Sequence, residues 1–239
     1  MIPVAAPIRV QARLAAAADG PRPVLHASAT AVYVDLDGWC VGLVSASATR
    51  VPCALWSTLP DIAHLAGRPV VVSDGTLAIG DEVVRIGRVV DPRATVVGRH
   101  GIPRSEPGIL MTSGLDLPED GRLTADHVAT LVGRGPGLTP LGDDVLAGWL
   151  ATRAALGRPD AAVTDAVRHR LGATTLLSAT LLDCAIRGEV LPQLGAWLAD
   201  PTATSADALL AVGATSGAGL LTGARLAIRS TTQDAWRAA

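Results

Sequence analysis

The spacing of apolar positions changes character once along the chain. From about residue 24 to residue 91, apolar residues come in short runs cut by turn dipeptides. Residues 31–36 run into Asp37-Gly38, 39–44 and 51–56 follow, 69–72 precede Asp74-Gly75, and 77–90 are interrupted by Gly80-Asp81 and Gly87. Runs of this length, rich in valine and jointed by Asp-Gly, predict strands and hairpins. A small barrel or curled sheet removes the edges such strands otherwise expose. Residues 59–66 predict one or two helical turns. Residues 1–20 predict a short helix carrying Ile8, Val10 and Leu14, with Asp19-Gly20 as its stop.

After Leu123 the period lengthens to that of helices, predicted over 126–132, 141–156, 160–171, 174–187, 191–198, 205–212 and 219–228. Gly157, Gly172 and Gly188 fall just past three of them, where helices commonly end in glycine. Ala147, Gly148, Ala151, Ala154 and Ala155 keep one helix thin enough for close approach by a neighbour. Between the two textures, residues 92–118 carry Gly98, Gly101, Pro103, Pro107, Gly108 and Gly114 with no period. This is a long connection, either a solvated linker or a segment that covers a site with Arg99, His100 and Arg104. The fold class is α+β: a mainly β, barrel-like half (1–92), a connecting segment (93–118) and an all-α bundle (119–239).

Composition narrows the chemistry. The 239 residues are 49% hydrophobic, ample for a packed core, and the formal net charge is -2 with 20 dispersed basic residues. No nucleic-acid groove or polybasic membrane patch is indicated. Every basic side chain apart from histidine is arginine, and Lys, Asn and Phe are absent. Walker-type phosphate binding, Schiff-base chemistry and N-glycosylation are therefore excluded. Cys40, Cys53 and Cys184 lack metal-type spacing and suit free thiols in a reducing compartment. The five histidines are scattered. Arg9 and Arg13 interrupt the alanine-rich start before a signal-peptide core can form, and no apolar run reaches membrane-spanning length. The expectation is a cytoplasmic protein.

The densest chemical signal is Gly133-Arg134-Gly135-Pro136-Gly137-Leu138-Thr139-Pro140-Leu141-Gly142-Asp143-Asp144. Glycines at alternate positions free the backbone for close approach to a ligand, and Thr139-Pro140 reads as an N-cap followed by proline at the first helical position. Such a loop aims N–H groups at an anion, and the helix dipole adds partial positive charge there. Asp143 and Asp144 are then candidate magnesium ligands or acid/base groups. The alternative is a tight turn whose aspartates merely complement the helix start. The segment Gly142–Gly148 can be laid on Gly217–Gly223 with both glycines and a leucine matching, which predicts two helix N-termini converging on one pocket.

These residues resemble a known family. The motif Gly133-x-Gly135-Pro136-Gly137-Leu138-Thr139-Pro140-x-Gly142-Asp143-Asp144, followed by Leu146-Ala147-Gly148, is similar to the hallmark of the bacterial family that includes AllH, a subunit of oxamate carbamoyltransferase. So are Thr174-Thr175-x-x-Ser178 with Ala185-x-x-Gly188, Gly213-x-Thr215-Ser216-Gly217, and, in the β half, His26-x-Ser28 and Val90-Asp91-Pro92. The resemblance implies a subunit of an enzyme of purine-nitrogen metabolism that phosphorolyses oxalurate to oxamate and carbamoyl phosphate beside partner subunits, or as a homo-oligomer. The ligand would be a small anionic metabolite, carbamoyl phosphate or a carboxylate.

On this reading Asp143, Asp144 and Thr139 are the catalytic candidates, with both aspartates as the candidate magnesium site. Gly135, Gly137, Leu138, Gly142, Thr175, Thr215, Ser216 and Gly217 are the ligand-binding candidates. The chain departs from the family pattern at Ala214 and Gly219, where relatives tend to carry His and Asp. That departure leaves open a non-catalytic, metabolite-binding or accessory subunit.

Overall fold

The computed structural model describes residues 1–95 and 114–237, with side chains as far as residue 231. It falls into two compact units, Met1–Pro92 and Arg93–Ala239. Arg99, His100 and Arg104 lie outside the described residues.

In the first unit, nine strands form one barrel-like sheet that nearly closes. They are β1 (Ile2–Pro7), β2 (Gly20–Arg22), β3 (Val24–Ala27), β4 (Ala31–Asp35), β5 (Cys40–Val44), β6 (Ala54–Ser57), β7 (Val70–Ser73), β8 (Thr76–Ile79) and β9 (Glu82–Val90). Their order is β2-β7-β8-β9-β1-β6-β5-β4-β3. The strands at the two ends of that order are consecutive in the chain and separated only by Pro23, so the backbone itself joins the ends. Pro23 has no N–H to give a ladder, while its carbonyl accepts from Asp35 N at 2.9 Å.

Both Asp-Gly joints are tight hairpin turns with positive φ at both residues: 55° and 80° at Asp37 and Gly38, 48° and 68° at Asp74 and Gly75. The N-terminus departs from expectation. Ile2–Pro7 is a strand between β6 and β9, and the helix, α1, is confined to Ile8–Ala16. Ile2, Val4 and Ala6 are buried at a period of two, which a helix cannot satisfy. Gly87 does not interrupt β9, and the predicted turns at 59–66 shrink to one 3-10 turn, Ala63–Leu65.

The second unit is helical: α2 (Ala125–Leu131), α3 (Leu141–Ala155), α4 (Ala161–Arg170), α5 (Leu176–Ile186), α6 (Pro192–Ala199), α7 (Ala203–Leu210) and α8 (Ser216–Arg237). Side chains set several of the starts. Thr124 and His127 form a capping box on α2, Thr202 and Ser205 one on α7, Asp160 accepts from Val163 N, and Thr175 accepts from Ser178 N. Gly157 and Gly188 end α3 and α5 at φ of 68° and 78°. Gly172 instead lies inside a 3-10 turn, Leu171–Ala173.

Helix α3 is the centre of this unit, buried from Gly142 through Thr152, and the Trp149 indole N–H donates to the Gly121 carbonyl at 3.0 Å. Its closest neighbour is α8. A Cβ added at Gly148 would lie 2.1 Å from the Leu220 carbonyl oxygen, and one at Gly223 would lie 1.9 Å from that of Val145. When Gly142–Gly148 is laid on Gly217–Gly223, Val145 corresponds to Leu220 and Gly148 to Gly223. The operation that exchanges the helices therefore exchanges these two contacts. The pair is parallel and pseudo-two-fold, with both N-termini at one end.

Candidate functional site

The glycine loop begins where α2 ends. Gly133 and Gly135 have φ of 71° and 122°, and both are pressed against backbone: added Cβ atoms would lie 2.5 Å from the Ala173 carbonyl oxygen and 2.9 Å from Leu141 N. Glycine is required there on both counts. At Gly137 the φ is 93°, with open space where a side chain would stand. Residues Arg134, Gly135, Pro136, Gly137 and Leu138 are exposed. Among the described residues, the N–H groups of Gly135, Gly137 and Leu138 find no intramolecular acceptor.

The start of α3 differs from the expected cap. Pro140 occupies the N-cap position and the helix begins at Leu141, with no side chain capping it. The loop takes over that function: Gly142 N donates to the Arg134 carbonyl at 2.9 Å, and Asp143 N and Asp144 N donate to the Pro140 carbonyl. The Thr139 hydroxyl is thereby free for a different contact. It lies 3.0 Å from the Ser216 hydroxyl, at the first residue of α8. The N-termini of α3 and α8 do converge, as the internal similarity predicts.

A third N-terminus joins them. The Thr175 hydroxyl at the start of α5 donates to the Leu138 carbonyl at 2.5 Å. The remaining tie is Asp143, which is 1% exposed. Its Oδ1 accepts from Gly133 N at 2.8 Å, and its Oδ2 accepts from the hydroxyls of Thr174 at 2.5 Å and Ser178 at 2.7 Å. One carboxylate thus pins the loop to both α3 and α5. Three of its roughly four acceptor positions are filled.

Asp144 is in the opposite condition. It is 6% exposed, and its Oδ2 is buried with no hydrogen-bond partner among the described residues. Burial pushes its carboxyl from 3.8 up to about 7; the hydrogen bond from Ser216 pulls it down, and the charge of Asp143 pushes it up. Ser216 thus stands between Thr139 of the loop and the Asp144 carboxyl. Across from Asp144 stands Gly219, whose added Cβ would lie 2.7 Å from the Asp144 Cβ. In the pseudo-two-fold arrangement Gly219 is the counterpart of Asp144, and there is room for one side chain only.

The other candidates are placed as follows. Gly142 and Gly217 are buried, and added Cβ atoms would lie 2.1 and 1.9 Å from the carbonyl oxygens of Leu131 and Leu209 in the preceding helices. Thr215 is exposed, and its carbonyl accepts from Gly219 N. Thr174 and Ser178, the partners of Asp143, lie on either side of the Thr175 cap, Thr174 in extended backbone before it and Ser178 in the first turn of α5.

The two aspartates do not fit a magnesium site that takes both carboxylates. Asp143 is committed to three donors, and the neighbouring side chain turns toward α8. Magnesium asks for near-octahedral oxygen ligands. Among the described residues no cluster of three His, Cys, Asp or Glu is placed to hold a metal ion, and no helix is long and apolar enough to cross a membrane.

Fold and site together define an α+β protein in which the N-termini of three helices gather around an exposed glycine loop, beside a buried carboxyl group with one oxygen unpartnered among the described residues. Residues 131–228 match the family model described as oxamate carbamoyltransferase subunit AllH, a stretch that holds the whole of this site. The match lies within the helical unit, and that stretch of the chain is similar to the AllH family. No curated protein and no solved structure matches the chain.

Proposed function

We propose that the helical unit binds a small anionic metabolite, carbamoyl phosphate or a carboxylate, as a subunit of an oxamate-carbamoyltransferase type of enzyme. The family match supports the enzyme class. The observation that carries the ligand class is the gathering of the α3, α5 and α8 N-termini around N–H groups of Gly135, Gly137 and Leu138 that have no acceptor within the described chain. Helix N-termini and unpaired backbone donors are a recurrent anion cradle.

In phosphorolysis of oxalurate a phosphate oxygen attacks the ureido carbon and negative charge develops on its carbonyl oxygen. As that charge collapses the bond to the oxamate nitrogen breaks, the nitrogen takes up a proton, and carbamoyl phosphate and oxamate result. Preorganised loop donors stabilise that charge, and loss of one such donor typically lowers the rate about 10² to 10³-fold. Thr139 orients Ser216, and Ser216 orients Asp144. Asp143 positions the loop and leaves the chemistry to its neighbour.

A second reading, an accessory subunit that binds the metabolite without turning it over, is favoured by Gly219. Between α3 and α8 only Asp144 supplies a carboxyl group, because an added Cβ at Gly219 would lie 2.7 Å from the Asp144 Cβ.

The test is calorimetric titration of the protein with carbamoyl phosphate, with and without magnesium, alongside Asp144→Asn and the exposed Asp207→Asn on α7. Saturable binding that is altered by Asp144→Asn, unchanged by Asp207→Asn and insensitive to magnesium locates the ligand at the loop. Binding that Asp144→Asn leaves unaltered, or no binding at all, defeats the reading. Turnover of oxalurate with partner subunits present then separates the catalytic reading from the accessory one.

A further inference from the structure

Building on the anion-site reading, we propose that Arg134 is a ligand-binding residue, its guanidinium closing on the phosphoryl group of a ligand held by the loop N–H donors. Arg134 is exposed and stands between Gly133 and Gly135, both at positive φ.

The base of the side chain is fixed. Arg134 N donates to the Leu131 carbonyl at 2.9 Å, and its own carbonyl accepts from Gly142 N at 2.9 Å. The side chain sets out beside the first turn of α3, since a Cβ added at Gly142 would lie 3.0 Å from the Arg134 Cβ. Its neighbour Gly133 is pressed against the Ala173 carbonyl, just ahead of α5. The Gly135 N–H belongs to the next peptide along, and those of Gly137 and Leu138 follow within four residues. An arginine rooted there reaches an anion on any of the three.

The charge itself is what the free fold does not use. Elsewhere in the helical unit Arg168 pairs with Asp165, Arg187 with Asp183, Arg229 donates to the Glu119 carbonyl, and Arg153 lies over the Trp149 ring. The Arg134 guanidinium has no hydrogen bond, ion pair or ring contact among the described residues. The nearby Asp143 carboxylate is bonded by Gly133, Thr174 and Ser178 instead. A cation at a helix start also faces the positive end of the dipole, the reverse of the stabilising placement. An oxyanion between the guanidinium and the loop donors answers both. Guanidinium matches phosphate as a two-pronged, charge-assisted donor.

The full chain is titrated with carbamoyl phosphate and, separately, with inorganic phosphate. Arg134→Gln should weaken both about ten-fold or more. Arg134→Lys, which keeps the charge and loses the fork, should fall between Arg134→Gln and wild type. Arg187→Gln, at the far end of α5, removes the same charge from the chain and should bind as wild type does. Because the Arg134 side chain is exposed and unpaired, Arg134→Gln should melt within about 2 °C of wild type.

Wild-type affinity in Arg134→Gln, or an equal loss in Arg187→Gln, overturns the role of Arg134 and leaves the anion site standing. A loss for carbamoyl phosphate alone overturns the phosphoryl assignment. A larger drop in melting temperature makes Arg134 a structural residue and overturns the proposal too. Absence of binding to wild type removes the anion site and the proposal together.

Discussion

Asp143 and Asp144 are adjacent and chemically identical, and the fold sends them to opposite roles. Neighbours on a helix point about 100° apart. One carboxyl therefore reaches Gly133, Thr174 and Ser178, and the other reaches Ser216. A buried carboxylate that accepts three hydrogen bonds is a structural fastener, since removing its charge weakens all three at once. Asp143→Asn should destabilise the protein by about 3 kcal/mol, because the amide turns one acceptor into a donor that faces other donors. Urea unfolding measures this; a change below about 0.5 kcal/mol would show that the loop is not fastened through this side chain. Equal and negligible effects of Asp143→Asn and Asp144→Asn on ligand binding would also defeat the site.

Among the elements, the α3–α8 pair sets how close the two N-termini come. Gly148 and Gly223 allow the backbones to touch at the crossing, and Gly219 allows Asp144 to lie between them. Gly223→Ala puts a methyl group where the Val145 carbonyl oxygen stands, so the helices must separate. Overpacking of this kind typically costs about 1–3 kcal/mol. Here the upper end is expected, because the obstacle is backbone. The same separation should weaken carbamoyl phosphate binding, whereas alanine at the exposed Gly172, where an added Cβ meets nothing within 4 Å, should change neither property. Unfolding and titration of both variants check this pair of outcomes.

At the scale of the whole molecule, Asp144 links stability to pH. Its carboxyl holds a proton up to about 7 in the folded state, against the ordinary 3.8. Between those values the folded chain binds more protons than the unfolded chain. The contribution is therefore fully present below about pH 4, falls as pH rises, and is gone above about 7. The shift corresponds to about 4 kcal/mol at most. Asp144→Asn should accordingly gain stability on wild type as pH rises from about 5 to 8, followed by melting at each pH. A constant difference between the two proteins would place the Asp144 carboxyl in an ordinary, solvated setting.

The α+β class and the hairpins were written in the sequence because their causes are local: valine runs, Asp-Gly at two turns, a helical period after Leu123, and glycine after α3 and α5. The glycine loop was legible for the same reason, and the match between Gly142–Gly148 and Gly217–Gly223 announced the convergence of two helices. What sequence could not assign was the use of each side chain. Thr139 reads locally as a cap, yet the loop carbonyl of Arg134 satisfies the helix start and the hydroxyl goes to Ser216. Ile2–Pro7 reads as a helix start, yet the sheet needed a strand between β6 and β9. Gly142 and Gly217 read as ligand-facing, yet they admit the carbonyls of Leu131 and Leu209. Propensity and turn chemistry act over a few residues and survive in the sequence. Charge state, burial and close backbone approach depend on atoms many tens of positions away, and only the tertiary structure could decide that Asp143 is tied down and Asp144 left with a free oxygen.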